Sequence, residues 1–180
     1  GCVLRHVGVT EQGTLDLEDL RAKLNARTRL VGLVHISNTL GCCNPVDDVV
    51  ALAAQHGARV LLDACQSLAH KSLDVGQLGI DFLVGSSHKL CGPTGMGFLW
   101  AREALLESMP PFLGGGEMIQ DVFLDHSTWA ELPHKFEAGT PAIGEAIGMG
   151  AAITYLQTLG LEAIQAWEAQ LTAYLFSRLQ

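Results

Sequence analysis

Short apolar runs that lack polar alternation are the feature that most limits how this chain can fold. Between them lie patterns with helical spacing, at about 16–24 and 45–56. Strands that are buried on both faces read as such runs, and their alternation with helices predicts a mostly parallel sheet with helices on both faces. We expect strands at residues 3–9, 30–36, 60–62, 82–84 and 97–101, the last as a hairpin partner or edge strand.

Capping residues set the expected helix boundaries. Asp16 can cap a helix that reaches residue 24, and Pro45 suits the first turn of a helix that Gly57 ends. Pro141 opens a third helix, which Gly160 ends, and a fourth follows over 161–179. Apolar residues in the segment 110–140 follow neither the helical nor the strand spacing, so we expect a long irregular segment that is functional or lies at an interface.

Composition excludes several classes of protein. The 19 acidic residues exceed the 11 basic ones, which disfavours nucleic acid as a partner. No apolar run is long enough for a bilayer, and no secretory signal is visible, so we expect no membrane partner. The five cysteines are odd in number and match no zinc spacing, which favours a reducing compartment and predicts no metal site. Because the sequence begins with Gly1, we expect it to be a fragment.

Polar residues follow three of the predicted strands directly. Asn38, Asp63 and Ser86 each lie just past the end of an apolar run. In open parallel sheets, ligands bind outside the carboxyl ends of the strands. We therefore expect these three side chains to belong to one site, although Asn38 and Asp63 could also be ordinary turn residues.

Lys89 is the residue best suited to covalent chemistry. It follows an apolar strand and a Gly-Ser-Ser turn, and an apolar segment follows it, so partial burial would make its amine nucleophilic. Pyridoxal phosphate (PLP) needs such a lysine, an acid at the ring nitrogen and donors around its phosphate. Asp63 can be the acid, and Ser86 and His88 can be the donors. The alternative is a solvated surface lysine.

Two further residues could contact the same cofactor. Gln66 lies one helical turn after Asp63 and could reach the phenolic oxygen of the ring, as could Asn38. Gln66 could equally be an exposed residue, and His88 a buried core histidine. The glycine-rich segment 92–97 does not match the GxxxxGK[ST] pattern, which argues against a Walker-type phosphate site.

Four segments resemble one known family. Residues 35–41 (HISNTLG), 63–67 (DACQS), 87–95 (SHKLCGPTG) and 136–141 (FEAGTP) resemble the class V aminotransferases, and within them the SufS-type (group II) cysteine desulfurases of cyanobacteria and plastids. The resemblance implies that residues 1–180 are part of the large domain of a fold-type I PLP enzyme. It assigns the Schiff base and substrate proton transfer to Lys89, the ring nitrogen to Asp63, and the phenolic oxygen to Gln66 with Asn38 nearby. Ser86 and His88 would bind phosphate, and Thr140 would reach the phosphate of a neighbouring subunit in a homodimer.

The implied reaction converts L-cysteine to L-alanine and transfers sulfur as a persulfide for iron–sulfur cluster assembly, with a SufE-like acceptor possible. The family's N-terminal segment and C-terminal small domain, which carries the persulfide cysteine and a carboxylate-binding arginine, are not in this sequence. We therefore expect the 180 residues alone to be inactive.

The alternatives to a cysteine desulfurase are a selenocysteine lyase acting on L-selenocysteine, another class V enzyme, or a non-catalytic PLP-fold scaffold. The expected location is the cytoplasm or the plastid stroma.

Overall fold

A four-stranded sheet organises the computed structural model, which describes residues 1–179. The strands are β1 (Leu30–Val34), β2 (Arg59–Asp63), β3 (Phe82–Ser86) and β4 (Gly97–Ala101), in that order across the sheet. β1, β2 and β3 are parallel, and β4 pairs antiparallel with β3 at the edge. The mostly parallel sheet and the edge position of the last strand are confirmed.

Helices α1 (Leu17–Lys23), α2 (Val46–Gln55) and α3 (Val75–Leu78) build the main core with one face of this sheet. Val49 and Ala53 of α2 are fully buried and belong to the same core cluster as Leu62 of β2, which is also fully buried. The helical spacing of these apolar positions matches the face that α2 turns to the sheet. The opposite face of the sheet is more open, with Val34 and Leu99 at 40% and 50% exposure.

The helix boundaries follow the predicted caps closely. The Asp16 carboxylate accepts hydrogen bonds from the backbone N–H groups of Glu18 and Asp19, both at 3.0 Å. Pro45 is the N-cap residue of α2, one position before the first turn, and Gly57 adopts a φ of 65° just after the helix. A left-handed conformation of this kind favours glycine, which explains why the helix ends there.

Helices α5 (Ile143–Leu159) and α6 (Leu161–Leu179) follow the short helix α4 (Glu103–Ser108) and the irregular region. α5 begins two residues later than the predicted start at Pro141. A second buried cluster joins Leu156 of α5 to Ala69 and Leu90, with Ile164 of α6 packed against it. None of the helices within residues 1–179 combines the length and the apolar character needed to cross a bilayer.

Two predictions of secondary structure were wrong. Residues 3–9 form no strand: Val3 and Leu4 are 79% and 77% exposed, and only an isolated bridge joins Val9 to Leu15. A strand needs a neighbour for its backbone groups, and no strand within residues 1–179 pairs with this run. Residues 110–140 are not structureless either, because β5 (Ile119–Val122) and β6 (Ser127–Trp129) form a hairpin there.

Candidate functional site

The carboxyl ends of β1, β2 and β3 meet at one edge of the sheet, as the parallel register requires. Val34 pairs with Asp63, and Asp63 pairs with Val84, so the chain leaves all three strands at a similar level. Asp63 is the last residue of β2 and Ser86 the last of β3. A short 3₁₀ turn, Ser87–Lys89, follows β3 and carries Lys89. The strand ends therefore place the predicted residues around one edge.

Lys89 differs from the other three lysines of the chain in the state of its amine. Within residues 1–179 the half-buried Lys89 side chain makes no hydrogen bond and no ion pair. The other amines all donate to partners: Lys23 Nζ to Asp19 at 2.5 Å, Lys71 Nζ to Cys43 Sγ at 3.5 Å, and Lys135 Nζ to the carbonyl oxygens of Leu106 and Glu107 at 3.0 and 2.9 Å. Lys89 thus has the amine that is free to react.

Asp63 and Lys89 both act on the thiol of Cys65. Asp63 Oδ1 accepts a hydrogen bond from the Cys65 backbone N–H at 2.9 Å, which orients the carboxylate. Burial raises the pKa of the Cys65 thiol, and hydrogen bonding to Asp63 and its negative charge raise it further, whereas the positive charge of Lys89 opposes them. Asp63 ends β2 beside β3, and the turn after β3 carries Lys89, so the carboxylate and the amine lie at the same edge of the sheet.

Ser86 and His88 form the second polar pair of the site. Ser86 Oγ and His88 Nδ1 are 2.9 Å apart, and either can donate to the other. The turn that carries them is held by Ser87, whose N–H donates to the carbonyl of Met96 at 3.0 Å and whose carbonyl accepts from Gly92. Ser87 is fully buried, and its Oγ has no partner within residues 1–179. These contacts fix the backbone that precedes Lys89.

Asn38 and Gln66 line a cleft of about 610 Å³. Gln66 is half-buried and Asn38 is exposed, so both side chains can meet a ligand from solvent. Asp63 and Lys89 do not line this cleft, although Gln66 follows Asp63 by three residues. The structure therefore arranges the predicted residues in two adjacent groups that the 63–66 turn connects.

Thr140 lies apart from both groups. It lines a different cavity of about 240 Å³, together with Glu117, His134 and Glu137. No residue is shared between this cavity and the cleft of Asn38 and Gln66. Within the described chain, the structure does not bring Thr140 to Lys89.

Two features near the cleft were missed by sequence reasoning. His70 Nδ1 lies 2.6 Å from Glu168 Oε1, and 98 residues separate the two. His35 is 7% exposed, and its Nδ1 has no partner within residues 1–179. Burial, and then the charge of Lys71, lower the pKa of His35. No local pattern in the sequence signals either feature, since both depend on contacts between distant segments.

The cysteines and acidic residues form no other evident site. All five cysteines are free, and Cys2, Cys43 and Cys91 are exposed. Across residues 1–179, no group of three His, Cys, Asp or Glu side chains is close enough together to hold a metal ion.

Comparison with known proteins gives a consistent result. The family model for aminotransferase class-V matches residues 1–180. The chain is 57% identical over 179 residues to a probable cysteine desulfurase of Synechocystis sp., covering 99% of this chain and 43% of that protein. It is 50% identical to a cysteine desulfurase of Salmonella newport, covering 99% of this chain and 44% of that protein.

Solved structures show the same likeness. A cysteine desulfurase of Escherichia coli superposes with a TM-score of 0.88 at 36% identity, over 92% of this chain and 42% of that one. The apo cysteine desulfurase of Thermococcus onnurineus superposes with a TM-score of 0.87 at 39% identity, over 94% of this chain and 42% of that one. These likenesses confirm the predicted α/β architecture of fold-type I. The chain spans less than half the length of the proteins that it matches.

Proposed function

This chain belongs to the aminotransferase class-V family, and from that premise we propose that it is part of the PLP-binding large domain of a SufS-type cysteine desulfurase. The resemblance to class V cysteine desulfurases that the sequence predicted is confirmed by the identity of 57% to the Synechocystis protein. The proposed reaction of the whole enzyme converts L-cysteine to L-alanine and passes sulfur on as a persulfide. Its product would serve iron–sulfur cluster assembly through a SufE-like acceptor.

The donor set at the edge of the sheet fits PLP. Lys89 offers a free amine, Asp63 a carboxylate oriented by the Cys65 N–H at 2.9 Å, and Ser86 and His88 two donors for a phosphate. When bound, the cofactor supplies an electron sink for the substrate. The observation that carries the proposal is that Lys89, alone among the lysines, keeps its amine free within residues 1–179 and lies at the same edge of the sheet as Asp63.

Each residue has a role that its surroundings support. Lys89 Nζ would hold the cofactor covalently and then move protons on the substrate, because a free amine can act as nucleophile and base. Asp63 would form a charge-assisted hydrogen bond with the ring N–H. Gln66 and Asn38, which share the cleft, would contact the phenolic oxygen. Thr140, which lies in its own cavity, would serve the phosphate of the partner in a homodimer.

No cysteine of this chain is proposed to carry the persulfide. The nucleophile in sulfur transfer is a thiolate, and the raised pKa of Cys65 keeps it a thiol at neutral pH, while Cys91, two residues after Lys89, lies outside any motif suited to persulfide formation. We therefore place the sulfur-accepting cysteine and the carboxylate-binding arginine outside residues 1–180, and we expect these residues alone to be inactive. The five free cysteines support a reducing compartment, such as the cytoplasm or the plastid stroma.

The test is turnover by the full-length protein, followed as L-alanine formed from L-cysteine. Asp63→Asn should lower kcat roughly 100-fold, the usual cost of losing one aligned electrostatic partner. Asp48→Asn, an exposed change on α2, is the matched control and should leave kcat unchanged. Turnover near wild type in Asp63→Asn would show that Asp63 is only a turn residue. Turnover of L-selenocysteine alone would favour the lyase, and absence of any turnover would favour a different class V activity or a scaffold.

A further inference from the structure

Helix α6 is attached to the rest of the described chain at two points on one face. Ile164 packs against the buried cluster of Ala69, Leu90 and Leu156. Glu168 Oε1 lies 2.6 Å from His70 Nδ1. Ile164 and Glu168 are one helical turn apart, so both contacts come from the same side of the helix.

Within residues 1–179, α6 makes few other contacts. None of its residues is fully buried, and residues 169–179 are all exposed. Within residues 1–179, the pair of His70 and Glu168 is the one side-chain hydrogen bond between α6 and another part of the chain. Within the described chain, the contact between His70 and Glu168 is therefore the polar restraint on the position of α6.

Both attachment points are next to the candidate site. Ala69 and His70 lie in the same turn as Gln66, and Leu90 directly follows Lys89. His70 and Gln66 line the cleft of about 610 Å³, and α6 contributes Gln165, Glu168 and Thr172 to the same cleft. Helix α6 is therefore one wall of the cleft, and the contact between His70 and Glu168 lies in that wall.

The pairing also affects the charge of the cleft. The charged or titratable side chains that line it are His70, Lys71 and Glu168. An amino-acid substrate brings a carboxylate, which an unpaired Glu168 would repel. A ring N–H of His70 that donates to Glu168 Oε1 at 2.6 Å reduces that repulsion. His70 thus serves both the position of α6 and the electrostatics of the cleft.

We propose that His70 and Glu168 are positioning residues that hold α6 as a wall of the cleft of Asn38 and Gln66, beside the site of Lys89, and keep this cleft receptive to the carboxylate of the substrate. The inference rests on the proposed function, because it takes the ligand of the cleft to be an amino acid. It assigns the pair an effect on substrate binding, seen in KM, and none on the chemical step, seen in kcat. Neither residue touches the reacting atoms in this account.

The test uses the full-length holoenzyme and four variants: His70→Ala, Glu168→Ala, Glu168→Gln and Glu162→Ala. The first measurement is amide hydrogen exchange of residues 165–172, which needs no turnover. Glu168→Ala should speed exchange in this segment about fivefold, the upper end for a half-exposed pair. Glu168→Gln should stay close to wild type, because its amide oxygen still accepts from the His70 N–H. Glu162→Ala, an exposed change in the first turn of α6, is the control and should have no effect.

The second measurement is the separation of KM from kcat for L-cysteine. Because Glu168→Ala removes both the hydrogen bond and the negative charge, its KM should rise about fivefold through the loosened wall alone, with kcat unchanged. His70→Ala should raise KM more, because it leaves Glu168 charged and unpaired in the cleft.

Unchanged amide exchange in Glu168→Ala would overturn the claim that the pair holds α6, whether or not the enzyme is active. Faster exchange with an unchanged KM, or a fall in kcat alone, would overturn the part that concerns substrate. A protein without any cysteine turnover would contradict the proposed function, and the exchange data would still decide whether the pair holds α6.

Discussion

The pKa of the Cys65 thiol depends on Asp63 and Lys89, the two charged groups on which the proposed chemistry depends. Burial and Asp63 raise its pKa, and Lys89 opposes them. At neutral pH the thiol is therefore protonated and a poor nucleophile, although it lies near the reactive lysine. A protonated neighbour adds no charge of its own between Asp63 and Lys89, which leaves both groups available to a cofactor.

Alkylation of Cys65 should reflect this raised pKa. Because only the thiolate reacts, a higher pKa means a smaller reactive fraction at any pH below it. In the cofactor-free protein, we expect iodoacetamide to modify Cys65 at pH 8 about tenfold more slowly than the exposed Cys2. The rate at Cys65 should continue to rise above pH 9.0, the ordinary value for a thiol. Peptide mass spectrometry measures both rates, and a midpoint for Cys65 below 9.0 would contradict the assignment.

At the residue level, the candidates that sequence reasoning found share a simple local signal. Asp63 and Ser86 end strands, and Lys89 follows the turn after one, so the apolar runs alone indicate where they lie. The pair of His70 and Glu168 could not be found in this way, because 98 residues separate its members. Whether Lys89 would be free or paired was equally invisible, since it depends on the partners of the other lysines.

Among the elements, β3 and its turn carry the greatest packing constraint. A Cβ atom added at Gly85 would lie 2.5 Å from the ring of Phe98 on β4 and 2.7 Å from Leu68. Such distances are too short for carbon atoms, so the strand or the ring would have to move. Gly85 directly precedes Ser86, and this close approach of β3 and β4 therefore fixes the position of a proposed phosphate donor.

Gly85→Ala should destabilise the protein by about 1–3 kcal/mol, the usual cost of an overpacked core position. Gly32→Ala is the matched control, because Gly32 also lies in a strand and an added Cβ would meet nothing within 4 Å. We expect that change to alter the free energy of unfolding by no more than about 0.5 kcal/mol. Urea unfolding of the full-length protein measures both. Equal shifts in the two variants would show that the contact with Phe98 does not constrain β3.

The strands and helices differ in how far the sequence could predict them. β1 to β4 were predicted because buried strands leave continuous apolar runs, and α1 and α2 because Asp16 and Gly57 mark helix ends. The hairpin of β5 and β6 was missed because its strands are four and three residues long and mostly exposed. Residues 3–9 have the composition of a strand, but pairing decides whether a strand forms, and composition does not report the partner.

For the whole molecule, the separation of the two cavities is the most informative feature. Thr140 lies in the cavity with Glu117 and His134, and none of the residues near Lys89 lines it. Nearby aromatic side chains are exposed, with Phe112 at 90%, Phe123 at 51% and Trp129 at 41%. Exposed aromatic residues of this kind are typical of interfaces between proteins. We therefore keep the prediction that this region packs across a two-fold axis and that Thr140 serves the partner's cofactor.

A mixed dimer tests whether Thr140 acts on the neighbouring subunit. One subunit carries Lys89→Ala and the other carries Thr140→Phe, so only one site retains the lysine. If Thr140 acts across the interface, that site receives a normal Thr140 from the Lys89→Ala subunit, and its PLP affinity should recover to the wild-type value. Affinity as weak as in the Thr140→Phe homodimer would show that Thr140 serves its own subunit or no phosphate. Titration of the lysine-bearing site by absorbance measures the affinity.

Lys89 is proposed to bind PLP covalently, and chemical trapping can locate that bond. The full-length protein is loaded with PLP, reduced with borohydride and digested, and the peptides are mapped by mass spectrometry. We expect a single pyridoxyl group on Lys89, because the other lysine amines already donate to Asp19, to Cys43 or to the carbonyls of Leu106 and Glu107. A label on Lys71 or Lys135 in its place would show that Lys89 is not the Schiff-base residue.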